Sequence, residues 1–292
     1  MFEGAHTALV TPFLEDGLDE GAYRQLIADQ IEAGIQGIVP VGTTGESPTV
    51  SVEEHKRLVS LAVETAQGKA KVIAGTGANS VKEAIHLTQS AEQAGADASL
   101  QVAPYYNKPT QQGLFEHFKA VAESTSLPIV LYSIPGRCGV AIEVDTVKRL
   151  RDVCPNIVAM KEAGGAPDRV SHLVAALDDQ FEVLSGDDSL TLPFMSVGAV
   201  GVISVASNVI PAAIVSMVRL ALDGDYQAAR GMHLRHFGFF RAMFAETNPI
   251  PVKAALAALG KVELRYRLPL TPPASSNDAL IREALVELGL LS

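Results

Sequence analysis

Short apolar runs alternate with longer amphipathic stretches along most of the chain. The short runs have the length and the β-branched residues of buried strands, whereas the longer stretches repeat their apolar residues with a helical period. The pattern predicts eight strands, at residues 6–10, 35–39, 71–75, 98–103, 128–132, 157–161, 181–185 and 200–204.

Capping signals mark two of the helices that lie between these strands. Ser51 with Glu54, and Ser80 with Glu83, have the spacing of a capping box at a helix N-terminus. Gly95 stands where the second of these helices needs a left-handed residue to end it.

Strand–helix alternation predicts a parallel sheet, and eight such units predict a closed (β/α)8 TIM barrel. An open, doubly wound sheet is the alternative, because alternation alone does not establish closure. Beyond residue 224 the strands stop, and residues 225–246, 250–260 and 277–291 have helical patterns. We therefore expect a barrel domain over residues 1–224 and a C-terminal helical appendage over residues 225–292.

Composition and charge narrow the class of protein. The 292 residues carry a formal net charge of −10, so binding to nucleic acid by bulk electrostatics is not expected. Two cysteines without a CxxC motif favour a cytoplasmic protein, and the N-terminus is typical of a strand rather than a signal peptide.

The uncharged segment between Asp188 and Arg219 is long enough for a membrane span, but its prolines and glycines divide it. We predict a helix end, a strand, a loop and a helix there.

The unusual polar residues follow the predicted strands, at the rim where TIM barrels carry their active sites. Lys161 closes the apolar run 157–160, where an ammonium is costly unless it loses its proton or finds a partner. A neutral amine there would be a nucleophile for carbonyl groups. The alternative is a rim ammonium paired with Glu162 or Asp187. Tyr132 ends the neighbouring strand and is either a proton-transfer phenol or a packing residue.

The segment 42-GTTGES-47 resembles a phosphate-binding loop but has Glu46 where that motif requires lysine. Its backbone N–H groups and two hydroxyls instead suit a carboxylate and a proton relay. Arg137, in a glycine-flanked turn, is either a carboxylate ligand or a plain surface residue. The scattered histidines include no HExxH motif, so no metal site is predicted.

Seven segments in this order resemble the dihydrodipicolinate synthase and N-acetylneuraminate lyase family of class I aldolases. They are GTTGES, PYYNKPTQQGLFEHF, LYSIPGRCG, MKEAGG, LSGDD, GVISVASN and ETNPIPVKAAL, and the resemblance extends over essentially the whole chain. Ser133 stands where many members have asparagine, and KEAGG replaces the commoner KEATG. Both departures leave the reactive groups intact.

The resemblance implies a synthase that condenses pyruvate with L-aspartate-4-semialdehyde on the route to diaminopimelate and lysine, without a cofactor. Lys161 would form the Schiff base and Tyr132 would transfer protons. Thr43 would link Tyr132 to Tyr106, which the family contributes from a neighbouring subunit. The rival activities are those of N-acetylneuraminate lyase and of the 2-keto-3-deoxy sugar acid aldolases. A non-catalytic ligand-binding member is the alternative from another class.

Further positions follow from the same resemblance. Thr44 would hold the carboxylate of pyruvate and Arg137 that of the semialdehyde, while Gly186 and Ile203 would line the pocket through their backbones. An inhibitory site for L-lysine at the dimer interface is expected, with weak or moderate sensitivity, at Ser47, His55, Asn79, Glu83 and Tyr105. We also expect a homo-oligomer in which two dimers form a tetramer.

Overall fold

The computed structural model describes all 292 residues and contains ten strands. They are β1 Gly4–Ala8, β2 Phe13–Leu14, β3 Gly17–Leu18, β4 Gly37–Val39, β5 Lys71–Gly75, β6 Ala98–Val102, β7 Ile129–Ser133, β8 Ile157–Glu162, β9 Glu182–Ser185 and β10 Gly201–Ser204. All strands except β2 and β3 form one closed barrel of parallel pairs, in the order β1, β10, β9, β8, β7, β6, β5 and β4. Closure confirms the TIM barrel and excludes the open sheet.

Helices follow the barrel strands and then continue alone to the C-terminus. Those of the barrel region are α1 Glu20–Glu32, α2 Val52–Ala66, α3 Val81–Ala94, α4 Gln111–Glu123, α5 Pro135–Cys138, α6 Val144–Val153, α7 Pro167–Ala176, α8 Thr191–Met195 and α9 Pro211–Leu222. The C-terminal ones are α10 Tyr226–Ala242, α11 Ile250–Ala258 and α12 Ser275–Glu287. The predicted order of helix end, strand, loop and helix after Asp188 is confirmed. None of the twelve helices combines the length and the hydropathy needed to cross a bilayer.

The predicted helix caps are confirmed at two of three points. At Ser51 both bonds of the capping box with Glu54 are present. Gly95 ends α3 with a φ of 88°, in the left-handed region that glycine adopts without strain. The second capping box is wrong in one half: the Ser80 hydroxyl accepts from the Glu83 N–H at 3.5 Å, but the exposed Glu83 side chain does not return the bond.

Period-two alternation along the strands divides the core into an inner and an outer part. Inside the barrel, alternate residues such as Val130 on β7 and Ala159 on β8 pack together with Leu184 on β9. The larger cluster lies between strands and helices. It includes Phe239 and Phe240 of α10, so the C-terminal helices share their core with the barrel. The division into two domains at residue 224 stays a prediction.

Candidate active site

Lys161 and Tyr132 lie side by side at the upper end of the barrel interior. They are directly paired across β7 and β8, each two residues beyond an inward-facing residue of its own strand. Alternation therefore points both side chains into the barrel. The Lys161 Nζ lies 4.4 Å from the centre of the Tyr132 ring.

The surroundings of Lys161 favour its neutral form. The side chain is only 5% exposed, and this burial lowers the pKa of the amine to about 8. The charge of Asp188 opposes the shift, and Arg137 adds to it. At neutral pH the fraction of reactive amine is thus about two orders of magnitude larger than for an ordinary lysine.

The sequence analysis kept an alternative in which the Lys161 ammonium is paired with the carboxylate of Glu162 or Asp187. Glu162 is fully buried but forms its ion pair with Arg169, at 2.8 Å. Asp187 instead accepts from the N–H and hydroxyl of Ser189. Neither carboxylate is bonded to Lys161, so the alternative of a rim ammonium paired with Glu162 or Asp187 is wrong.

Asp188 is a buried carboxylate next to the site that sequence reasoning did not single out. It accepts from the Ser204 hydroxyl at 2.5 Å and from the N–H groups of Val205 and Ala206 at 3.0 and 2.9 Å. Burial raises its pKa, while these bonds oppose the rise. The segment SGDD did indicate polar residues after strand β9, but not which of its two aspartates turns inward.

The turn after β4 brings two hydroxyls to the same cavity. Thr44 is buried, and its Oγ1 accepts from the Asn248 side chain at 3.0 Å. Burial raises the pKa of the Tyr132 phenol to about 12, and interactions with Arg137 and the Thr43 hydroxyl oppose the rise. Tyr132 therefore keeps its proton at neutral pH and can act as a donor.

The other predicted pocket residues differ in how they meet the cavity. Arg137 is an exposed rim residue whose Nη2 donates to the Asn248 carbonyl at 2.9 Å. Gly186 is required by space, because a Cβ there would lie 3.0 Å from the Lys161 Cε. Ile203 is fully buried in the barrel interior and its side chain does not line the cavity.

These side chains surround a narrow cavity of about 40 Å³. Two of its lining residues, Phe244 and Asn248, come from the region that follows the barrel. Sequence reasoning assigned them no role, although ETNPIPVKAAL was among the segments that carried the resemblance. The full lining is Ala8, Val39, Gly42, Thr43, Thr44, Leu100, Tyr132, Ile134, Arg137, Lys161, Gly186, Val205, Phe244 and Asn248.

Tyr106 does not reach this cavity within the chain. It is 90% exposed and has a φ of 72°, which places its backbone in the left-handed region. A single chain therefore brings together Lys161, Tyr132 and Thr43 of the predicted catalytic residues, and leaves the fourth pointing into solvent.

A second, polar cavity of about 180 Å³ lies on the other side of the same turn. Ser47, His55, Glu83 and Tyr105 line it, as predicted residues of a lysine site, together with Val52. Asn79 is not part of its lining, but its side chain donates to the Tyr105 carbonyl at 3.3 Å.

Comparisons with known proteins agree over the whole length of the chain. The family model described as "Dihydrodipicolinate synthetase family" matches residues 1–287. The 4-hydroxy-tetrahydrodipicolinate synthase of Aquifex aeolicus is 50% identical, over 99% of either chain. The solved structure of the 4-hydroxy-tetrahydrodipicolinate synthase from Methylacidiphilum fumariolicum SolV is 52% identical and superposes with a TM-score of 0.98. The match covers 100% of this chain and 100% of that chain.

Two further solved structures of this kind contain ligands. Each is 43% identical to the chain with a TM-score of 0.97 and at least 99% coverage on both sides. The dihydrodipicolinate synthase of Acinetobacter baumannii is complexed with pyruvate. That of Cyanidioschyzon merolae has lysine bound.

The lowered pKa of Lys161 predicts how its reactivity depends on pH. Below pH 8 the amine is mostly protonated and cannot attack a carbonyl, so the initial rate of adduct formation with a keto acid should rise with pH. Above pH 8 the rate should level off. The measurement is borohydride trapping of pyruvate across the pH range, with Lys161→Met as the control for adducts elsewhere. A rate that keeps rising beyond pH 10 would contradict the prediction.

Proposed function

The chain belongs to the dihydrodipicolinate synthetase family, and we propose that it condenses pyruvate with L-aspartate-4-semialdehyde. The observation that carries this proposal is the buried Lys161 amine of lowered pKa, placed against Tyr132 in a cavity that admits only a small molecule. The names of the relatives and the pyruvate complex from Acinetobacter baumannii support the same reaction.

The first half of the reaction forms the nucleophile. The neutral Lys161 amine attacks the keto carbon of pyruvate, and the carbinolamine loses water to give a Schiff base. Tyr132, protonated at neutral pH, donates the proton that the leaving oxygen needs. The Tyr132 phenolate left by that step takes up a methyl proton, which gives an enamine and restores the phenol. The lysine nitrogen serves as the electron sink, so no cofactor is required.

The second half forms the carbon–carbon bond. The enamine carbon attacks the aldehyde carbon of the semialdehyde, and the aldehyde oxygen takes up a proton. The amino group of the same substrate then attacks the Schiff-base carbon, which closes the ring and expels the Lys161 amine. The lysine is thereby returned to its starting state.

Two groups at the rim suit the two substrate carboxylates. The turn that carries Thr44 offers backbone N–H groups close to Lys161, which suits the carboxylate of pyruvate. The exposed Arg137 guanidinium can form a paired contact with the carboxylate of the incoming semialdehyde. Gly186 keeps the space beside Lys161 open, and the contact of the Ile203 backbone with substrate stays a prediction.

We propose that protons leave the site through a chain of hydroxyl groups. Thr43 connects the Tyr132 phenol to Tyr106 of the partner subunit in a homodimer. The exposure of Tyr106 in the single chain supports an assembly that covers it, because the ring buries little apolar surface within its own chain although the backbone there is strained. We place the enzyme in the cytoplasm as a pair of such dimers.

The alternative activity is that of an aldolase that uses the same lysine and tyrosine on a sugar acid, such as N-acetylneuraminate lyase. Arg137 and the two threonines of the turn favour the semialdehyde. Parallel coupled assays with the semialdehyde and with N-acetylneuraminate decide between the two.

Trapping with borohydride tests the mechanism. Incubation with pyruvate and borohydride should place a reduced pyruvate adduct on the peptide that contains Lys161 and inactivate the enzyme, because reduction makes the C–N bond permanent. Peptide mass mapping measures the site. An unmodified Lys161, or an adduct on another lysine, would overturn the proposal.

Thr43→Val should separate the relay from Schiff-base formation. Valine keeps the shape of threonine but lacks the hydroxyl, so we expect turnover to fall by about 100-fold or more while the Lys161 adduct still forms. Steady-state rates and trapping on the same preparation measure both. Near-normal turnover in Thr43→Val would remove Thr43 from the relay.

We also propose that L-lysine inhibits the enzyme, weakly or moderately, from the cavity lined by His55 and Glu83. The His55 Nε2 donates to the Gly75 carbonyl at 2.8 Å, and its buried Nδ1 has no partner within the chain. Burial lowers the pKa of His55, so Nδ1 is an unprotonated acceptor. Together with the Glu83 carboxylate it suits an ammonium group, whereas Val52 offers no hydrogen bond.

Glu83→Gln should raise the lysine concentration for half-inhibition by about tenfold, because a charged acceptor is lost, and leave the uninhibited rate unchanged. Glu53→Gln, on the exposed face of α2, is the matched control and should change neither quantity. Full activity of the unaltered enzyme at high millimolar lysine would contradict the proposal.

A further inference from the structure

The segment that follows α10 returns to the rim of the barrel and contacts the turn after β4. The Asn248 side chain donates to the Thr44 hydroxyl at 3.0 Å, and the Asn248 carbonyl accepts from Arg137 at 2.9 Å. Five residues later, the Lys253 Nζ donates to the Glu46 carboxylate at 2.5 Å. The C-terminal region therefore contacts this turn at both Thr44 and Glu46.

The ion pair between Lys253 and Glu46 is almost completely removed from water. The two side chains are 0% and 1% exposed, and the Lys253 Nζ lies 4.3 Å from the ring centre of Phe13 and 5.1 Å from that of Tyr266. Desolvation offsets most of the attraction in such a pair, so it is weak evidence for stability. Its best-attested use is to fix one arrangement of the chain.

The turn that this pair contacts has an unfavourable backbone at both ends. Val41 has a φ of 51° and Glu46 a φ of 55°, values that residues with a Cβ rarely adopt. Such residues keep their conformation only where the surroundings impose it.

Each end of the turn is held in a different way. At Val41 the backbone is packed closely against Gly75. A Cβ added at Gly75 would lie 2.5 Å from the Val41 carbonyl oxygen. At the other end Glu46 accepts from Lys253 and, at 3.3 Å, from the N–H of Arg267. Thr43 and Thr44 lie between these two fixed points.

We propose that Lys253 is a positioning residue for the reaction: its buried ion pair with Glu46 fixes the turn that presents Thr43 to Tyr132. This inference rests on the function proposed above. Lys161 and Tyr132 are held by β8 and β7 and do not depend on the turn. Loss of the pair should therefore slow proton transfer and condensation, and spare formation of the Schiff base.

The double substitution Glu46→Met with Lys253→Met tests this. An apolar pair of similar volume in place of a buried ion pair is often neutral for stability, so the melting temperature should stay within about 5 °C of the unaltered protein. The pyruvate adduct on Lys161 should still form. The kcat for condensation should fall about 10- to 100-fold, as expected for a displaced relay group, while KM for pyruvate stays within about threefold.

Lys261→Met is the matched control. Lys261 forms an ion pair with Asp29 at 2.5 Å, which also ties the C-terminal region to the barrel but at α1, away from the turn. The kcat of the Lys261→Met variant should remain within about twofold of that of the unaltered enzyme. Glu46→Gln with Lys253→Met, which leaves no buried charge, is the second variant should the first double substitution fail to fold, and the same fall in kcat is expected.

A kcat within twofold in a folded variant lacking the pair would overturn the proposal. So would a parallel loss of melting temperature, adduct and kcat, because that is the signature of a structural role. Absence of the Lys161 adduct in the unaltered protein is a different result, which refutes the proposed function itself.

Discussion

The whole site depends on keeping one amine out of water. A lysine whose ammonium is desolvated loses its proton more readily, and only the neutral amine attacks a ketone. The barrel provides that environment because Lys161 points inward on β8, which is paired with β7 on one side and β9 on the other, and desolvating the amine there costs the fold some stability. A nearby carboxylate in direct contact would cancel the effect, and Glu162 is instead bonded to Arg169.

The same burial separates the roles of neighbouring groups. It lowers the pKa of Lys161 to about 8 and raises that of Tyr132 to about 12, so between these pH values the amine is mostly neutral while the phenol in the same cavity keeps its proton. A lysine open to bulk water would keep its ordinary pKa and be almost entirely charged at neutral pH. The two hydroxyls of the turn add hydrogen-bonding groups without adding charge, and the Thr43 hydroxyl lowers the pKa of the Tyr132 phenol only in part against the effect of burial.

Local patterns in the sequence were sufficient for the eight barrel strands and for the places of Lys161 and Tyr132 at strand ends, because each depends on residues close together in the chain, whereas the count of units favoured a closed barrel without establishing closure. What the sequence could not provide was pairing across long separations. Glu46 and Lys253 are 207 residues apart, and nothing near either of them indicates the other. Arg169 is only seven residues from Glu162, but the preference of Glu162 for Arg169 over Lys161 depends on side-chain directions that the sequence does not show. The role that we propose for the exposed Tyr106 would need a second chain.

The dependence of the rim on Asn248 and Lys253 has a consequence for the order in which the protein is made. Chains leave the ribosome N-terminus first, and domains can begin to fold during synthesis. The last barrel strand ends at Ser204, so all eight strands precede the residues that complete the cavity. A nascent chain that has released only its barrel therefore carries the reactive lysine without the groups that hold the turn beside it. In the order of synthesis, the residues that hold the turn are therefore the last part of the site to appear.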